Sequence, residues 1–584
     1  MLKLRRQVAR PLLLATAAIL VFAFSWLFRF NDPGGSFAGL TDDHFFYLTR
    51  SWQILFGDLP VRDFVDHGAP LYYYVGAAVQ WVFGRGTLSE LAFATTAIAL
   101  GASLTLLLAA RASGSILLGV LGAFFQILLY PRFYNYPKLL AYATAIPVLW
   151  WFANRPSAWP RAVAALVTVI WFLFRHDHGV FIALAMATML AVLPQFAWRE
   201  RLRHAVLYGA LVLVMLAPYL VFIQMNGGVV AYFQQASAWA EKDRARAPVV
   251  WPGLFGNPNG VSDEARQGGI GRPVAVVRDN AVAWTYYAEL LIPVFALGML
   301  AISRDGFRPT WPLARAKLVM VAVLGLIVDA GFLRSPLEAR LADPSVPLAI
   351  LVAWLAGSVG RLMVDTRSVQ PSLVPRVWLV RAAALAIALP LMLVLGTSLS
   401  KDLYDRVDAA GLTDRFGKSL ERAGRIADQL RIDWQLESWV ARDQRPDLIN
   451  LSLYVNACTR PNDRVLVQAY MPQVLALARR AFAGGHGDLR PGFFRTDEAQ
   501  RLTIARLERQ SVPLMLLETG DEYRNFRKSF PLVTDYIDAR YRQAGSHVFD
   551  GRFGVNLFVR TDARPSGTWE PFGWPCYGSG HVVS

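Results

Sequence analysis

Between residues 11 and 397 the sequence is a succession of long apolar runs separated by short basic connections. A membrane-crossing helix needs roughly 20 mostly apolar residues. On that scale about eleven spans are expected, near 11–30, 88–110, 114–131, 138–153, 162–175, 179–196, 205–223, 284–301, 317–333, 346–363 and 378–397. Composition agrees: 17% of residues are charged and 54% hydrophobic, against about 25% charged in a soluble domain. The 18 Trp, 20 Tyr and 35 Phe suit aromatic belts at the lipid interface. Residues 70–84, with Tyr72, Tyr73, Tyr74 and Trp81, read as interfacial rather than spanning.

Charge orients these spans. The first apolar run follows Lys3, Arg5, Arg6 and Arg10, exceeds the apolar core of a signal peptide and has no clean cleavage site after it, so an uncleaved anchor with a cytoplasmic N-terminus is expected. Alternate connections carry Arg111; Arg155 and Arg161; Arg199, Arg201 and Arg203; Arg304, Arg308, Arg315 and Lys317; and Arg361, Arg367, Arg376 and Arg381. Arginine and lysine mark cytoplasmic loops, so the remaining connections and the C-terminus are expected outside. The net charge of +16 is spread over these loops, with no basic stripe of interleaved aromatics, and nucleic-acid binding is set aside.

The expected architecture is therefore a polytopic α-helical membrane domain (1–399) followed by a soluble external α/β domain (400–584). The membrane domain carries a first external loop at 31–87 and a long polar external loop at 224–283. In the soluble domain the pattern alternates. Helices are expected near 414–442, 472–482, 496–510 and 529–543, strands at 464–469 and 513–518, and a hairpin at 547–560. The two cysteines, Cys458 and Cys576, both fall there; an oxidising compartment favours one disulfide over two buried thiols.

Within this cationic chain, residues 31–69 hold six carboxylates (Asp32, Asp42, Asp43, Asp58, Asp63, Asp66) against two arginines. Asp42 and Asp43, being adjacent, point in different directions on a helix and do not form a matched acid/base pair. One can serve as a general base while the other caps the helix that begins there. The plain alternative is that both only favour the helix N-terminus, and local sequence does not decide between them.

Asp42-Asp43, Tyr47, the run Gly57-Asp58-Leu59-Pro60-Val61-Arg62-Asp63-Phe64 and Pro70-Leu71-Tyr72-Tyr73-Tyr74 together resemble the first outer loop of the GT-C membrane glycosyltransferases, in the protein-mannosyltransferase and aminoarabinose-transferase branch. The resemblance is closest over the first 200 residues or so and continues as general plan. It implies transfer of a sugar from a polyprenyl-phosphate donor to a hydroxyl of a glycan, lipid or protein acceptor, on the outer face of a bacterial-type inner membrane. It places Asp42 on the first acid of the family pair, as catalytic base or acceptor-positioning group, and Asp43 where relatives often carry Glu. The chain departs at Gly68-Ala69-Pro70, where relatives often read Lys-Pro-Pro, which leaves the substrate class open.

Such a donor needs cations near the outer leaflet for its phosphate. Arg132, Lys138, Arg175 with His176, and Arg334 are the candidates, each also readable as a snorkelling anchor. The run Arg175-His176-Asp177-His178-Gly179 is the densest. Asp63, His67 and His178 are further candidates around the acceptor. Asp329, an acid inside an apolar run, has a functional reading by default and a pairing with Arg334 as the bland one. No HxxxH or HExxH spacing occurs, so no metal ligand is assigned; the cofactor is unknown, a divalent ion being compatible with the sequence but not required by it. A transporter or flippase of lipid-linked glycans is the alternative to a transferase.

Overall fold

The computed structural model describes residues 2–31, 42–245, 251, 253–254, 272–302, 313–331, 340–364, 403–413, 416–431, 446–549 and 553–577. They fall into two compact units: Met1–Pro33, Ala94–Tyr219 and Ala240–Ala423 in the first; Gly34–Phe93, Leu220–Trp239 and Gly424–Ser584 in the second.

In chain order, the helices up to the long polar loop are α1 (Leu2–Phe30), α2 (Asp42–Leu55), α3 (Pro70–Phe83), α4 (Thr87–Ser113), α5 (Ile116–Leu128), α6 (Tyr136–Asn154), α7 (Ala158–Phe174), α8 (His176–Val192), α9 (Trp198–Met225) and α10 (Val229–Ala245). Further helices at Ala281–Ile302, Ala314–Asp329 and Ser345–Val364 complete the apolar set. Four stretches among the described residues are long and apolar enough to cross a membrane: Pro11–Phe30, Thr87–Ser113, Trp198–Met225 and Ala281–Ala301. Large apolar side chains on α1 (Leu12, Leu13, Ile19, Leu20) and α9 (Leu213, Val214, Val221) are left exposed, as a lipid-facing surface requires. In hydrocarbon only a helix satisfies its own backbone polar groups, so these runs close as helices whatever their sequence detail.

Helices whose association gains little from the hydrophobic effect pack through small residues. A Cβ added at Gly357 would stand 2.4 Å from the Ser113 carbonyl oxygen, and one at Gly179 would stand 2.3 Å from Phe172 Cβ. Gly179 thus closes the Arg175–Gly179 run for a packing reason, bringing α8 against α7. The helix Ala314–Asp329 lies against α8, and Ser345–Val364 against α5.

The second unit contains α2 and α3 packed on each other, and a sheet of order β2-β1-β3-β5-β4. β1 (Arg464–Val467) pairs in parallel with β2 (Ala481–Phe482) and β3 (Leu514–Glu518); β5 (Phe553–Arg560) runs antiparallel between β3 and β4 (Tyr541–Phe549). Leu514 to Leu517 form a continuous buried run, as expected for a strand covered on both faces. Leu466, Met515 and Leu517 pack with Phe526, Phe530, Val533 and Ile537 from two covering helices. α2 lies against the helix Pro472–Ala478 and against β2.

Several local expectations change. The helix expected near 529–543 is Pro531–Arg540, residues 541–543 belonging to β4, and a helix not expected from sequence, Gly520–Ser529, precedes it. Pro531 cannot donate an N–H, so it starts a new helix rather than continuing the old one. The helix expected over 472–482 stops at Ala478; Arg479 turns left-handed (φ 51°), and Ala481–Phe482 is taken by the sheet edge. The helix Pro446–Cys458 had no counterpart in the sequence reading. The interfacial stretch is α3, whose 14 residues give about 21 Å, too short to cross. The span expected at 378–397 lies outside the described residues, and so do the strictly polar parts of the 224–283 loop that fall within 255–271.

Cys458 and Cys576 are joined in a disulfide across 118 residues. It fastens the end of the helix Pro446–Cys458 to the short strand Trp574–Cys576, where Tyr454 also donates to the Pro575 carbonyl (2.8 Å). Closing a loop of this length restricts the unfolded chain by roughly 2–5 kcal/mol. Replacing Cys458 with Ser, or reducing the wild type, should therefore lower the thermal unfolding midpoint of the second unit and expose the 446–577 region to protease. An unchanged midpoint would remove the disulfide from any stabilising role.

Candidate active site

In the second unit the site is built on one face of α2. Asp43, Phe46, Tyr47 and Arg50 stand at i, i+3, i+4 and i+7, so their side chains stack along that face. The opposite face turns to packing: His44 is buried and hydrogen-bonded to the Glu90 carboxylate at 2.8 Å. Asp42 opens the helix, and its side chain lies outside the described residues.

Asp43 is half-buried, and its Oδ1 accepts a 2.7 Å hydrogen bond from the Tyr470 hydroxyl. No N–H of its own helix donates to it, so it does not act as a cap. Burial first, and the Asp43 carboxylate next, push the Tyr470 phenol up from its ordinary range, which keeps it a neutral donor. The Arg490 guanidinium lies over the Tyr470 ring at 4.6 Å and donates to Asp488 at 2.6 Å.

Arg50 is almost wholly buried (2% exposed), and its guanidinium is surrounded by acceptors. It donates to the Phe46 carbonyl (3.0 Å) and to His67 Nε2 (3.0 Å), lies 3.4 Å from the Phe46 ring centroid, and faces Asp488 at 4.0 Å. A guanidinium has no acceptor, so His67 must receive with Nε2 and carry its proton on Nδ1. Burial and then Arg50 and Arg490 hold His67 well below its ordinary value, consistent with that neutral form. Gly487 gives Arg50 its room: a Cβ there would stand 3.2 Å from the guanidinium.

The other acids of the loop have structural work. Asp66 receives the Gly68 and Ala69 N–H groups (2.9 and 3.0 Å) at the start of α3 and the Tyr232 hydroxyl at 2.8 Å. Asp58 takes a bidentate pair from Arg464 at 2.5 and 2.9 Å. Asp63 takes the Leu59 N–H and the Arg62 guanidinium, which together hold its carboxyl below the usual range against the opposing effect of burial. Of the sequence candidates, the structure brings Asp43 and His67 into one network and leaves Asp63 to a turn.

The cations belong to the first unit. Arg175 is the extended residue before α8 and donates to Asp177 at 2.7 Å, while Asp177 receives the His178 N–H at 2.9 Å. His178 is buried against the Tyr142 hydroxyl (2.8 Å), and His176 bonds the Phe172 carbonyl (2.8 Å) while stacking on that ring. Lys138 is committed to Asp343 at 2.6 Å, an acid that had no context in the sequence. Arg132 is exposed and takes no partner among the described residues. Arg334 lies outside the described residues. No group of three or more His, Cys, Asp or Glu side chains that could hold a metal ion occurs among the described residues.

Sequence reasoning missed Tyr470, Asp488, Arg490 and Tyr232, which lie more than 160 residues from the loop they meet. Arg50 was within reach, since it stands two helical turns after Asp43 on the same face.

No family model matches the chain, and no curated protein matches it. Among solved structures it is similar to the crystal structure of ArnT from Cupriavidus metallidurans in the apo state. Identity is 13% and the TM-score 0.44, with 94% of this chain and 98% of that chain covered. A likeness of that degree says nothing about individual side chains.

A pH response follows from His486, which is buried, hydrogen-bonded to Thr503 (3.0 Å) and held at about 3 by burial, then by Arg506 and Arg50. Unfolded, the ring binds a proton below about 6.5; folded, it does so only near 3. Stability is thus complete above about pH 6.5 and falls as the pH drops toward 3, by on the order of 4 kcal/mol at the bottom. Denaturation midpoints measured between pH 7 and 4 should fall less steeply in His486→Asn than in the wild type; equal slopes would refute this origin.

Proposed function

We propose that the protein is an integral-membrane glycosyltransferase that passes a sugar from a polyprenyl-phosphate carrier to an acceptor hydroxyl at the external face of a bacterial-type inner membrane. The observation that carries this reading is the Asp43 carboxylate: half-buried, held through one oxygen by a neutral phenol, and not used by its own helix.

The chemistry asks for such a group. The acceptor oxygen attacks the anomeric carbon, the bond from that carbon to the phosphate oxygen breaks, and the proton of the hydroxyl is taken by a carboxylate. Asp43, or Asp42 beside it, is the base, and Tyr470 fixes its orientation. The leaving polyprenyl phosphate carries its own negative charge, which Arg132, Arg175 and Arg334 would hold, with Lys138 adding field. His176 belongs with that phosphate set. His67 and His178 are buried supports rather than acceptor contacts, and Asp63 shapes the turn. A nucleotide is not part of this scheme.

Comparing envelope glycans and lipids by mass spectrometry, with and without the gene, identifies the glycosyl unit that goes missing. In an assay built on that donor, Asp43→Asn should lose about 10²–10⁴ in kcat while keeping its fold. Tyr470→Phe should lose about tenfold, the worth of one hydrogen bond. Full activity in both Asp42→Asn and Asp43→Asn would sink the proposal. Movement of labelled carrier across vesicles without a new glycoside would favour the transporter instead.

For the donor, Arg132→Ala is the cleaner substitution, because Lys138→Ala would orphan the Asp343 carboxylate and confuse stability with binding. Arg132→Ala and Arg175→Ala should each raise donor KM by about tenfold, the loss of one charge-assisted contact, with kcat less affected. Unaltered donor KM in both would remove these residues from phosphate binding.

A further inference from the structure

In the first unit two carboxylates remain that the transfer reading does not use. Glu289 lies in the helix Ala281–Ile302 and Asp329 ends the helix Ala314–Asp329; each is 1% exposed. Among the described residues all four of their oxygens lack a hydrogen-bond partner. The two residues belong to one place. Gly325 packs against Pro293, with its Cβ position 3.2 Å from the proline ring. The two helices pack on each other, and one helical turn after Gly325 and one before Pro293 stand two acids. Those positions are Asp329 and Glu289. Asp329 and Asp343 are also the charges that act on Glu289.

A second observation points to a ligand. Thr285, one turn before Glu289 on the same helix face, is 1% exposed, and its hydroxyl oxygen is also unpartnered. The nearby Asp343 gives one oxygen to Lys138 and has its other oxygen unpartnered. Asp343 and Lys138 thus pair with each other, and among the described residues Glu289 and Asp329 are left without a cation.

Buried carboxylates are kept charged only when paired or bound to a cation. The two do not hydrogen-bond each other, so a proton shared between them does not account for the arrangement. The donors are hard oxygens, and ionised together the two carboxylates would match one divalent ion that retains part of its water shell. We propose that Thr285, Glu289 and Asp329 form an intramembrane site for a hard divalent cation of the Mg²⁺ or Ca²⁺ class. The ion joins the helices Ala281–Ile302 and Ala314–Asp329, independently of whether the protein transfers sugar.

The test uses the purified full chain in lipid nanodiscs, stripped with EDTA. Thermal unfolding is followed against MgCl₂, CaCl₂ and NaCl, with choline chloride holding ionic strength constant. A ligand bound only by the folded state raises the midpoint with its concentration, so Mg²⁺ or Ca²⁺ should do so saturably. Glu289→Gln and Asp329→Asn should abolish the response. Thr285→Val, which keeps both charges, should weaken apparent affinity by about tenfold, the loss of one polar ligand. If the acid-to-amide variants do not fold, the saturable response of the wild type and its shift in Thr285→Val still decide the matter. No divalent response, an equal response to Na⁺, or a response unchanged in all three variants would overturn the site.

Discussion

A charge withdrawn from water persists only where the protein supplies partners, and Arg50 shows what this demands of the second unit. Its guanidinium is enclosed by a carbonyl of its own helix, a histidine of the acidic loop, an aromatic face and a carboxylate following the glycine-rich turn. Those groups come from positions 46, 67 and 488. Breaking such an arrangement leaves an uncompensated buried charge, which costs roughly 3–5 kcal/mol. The loop therefore cannot adopt its shape without residues that follow hundreds of positions later. Asp43 inherits its setting from that arrangement, because Arg490 both neutralises Asp488 and supports the ring that holds Asp43.

Much of the fold was legible because long apolar runs leave few alternatives. Helices α4, α9 and Ala281–Ile302 fall close to their expected places. Alternation in the last third of the chain likewise announced β1, β3 and the β4–β5 hairpin. Failures cluster where local signal and tertiary demand diverge. The helix begun by Pro531 ends at Arg540 because residues 541–543 are taken by β4, and Ala481–Phe482 becomes strand because β1 offers a free edge. The site was legible only in part. The pair Asp42-Asp43 stood out in sequence without a choice between its members, but Tyr470 and Arg490 carry no motif, and only the folded chain shows what they touch.

The six acids of the first loop looked equivalent in sequence and are not equivalent in structure. Asp58, Asp63 and Asp66 are each held by several donors that fix loops, so their carboxylates are saturated by structural work. Among the described residues Asp43 receives one hydrogen bond, from a side chain, which leaves acceptor capacity on its other oxygen. A helix cap would have shown the reverse: a carboxylate turned back on its own N–H groups. The same distinction explains why a neutral tyrosine, rather than a lysine or arginine, is the right neighbour. For the base proposed above, a cation at that distance would draw the carboxylate into an ion pair and weaken it, whereas a phenol would orient the group and leave its charge for an acceptor hydroxyl.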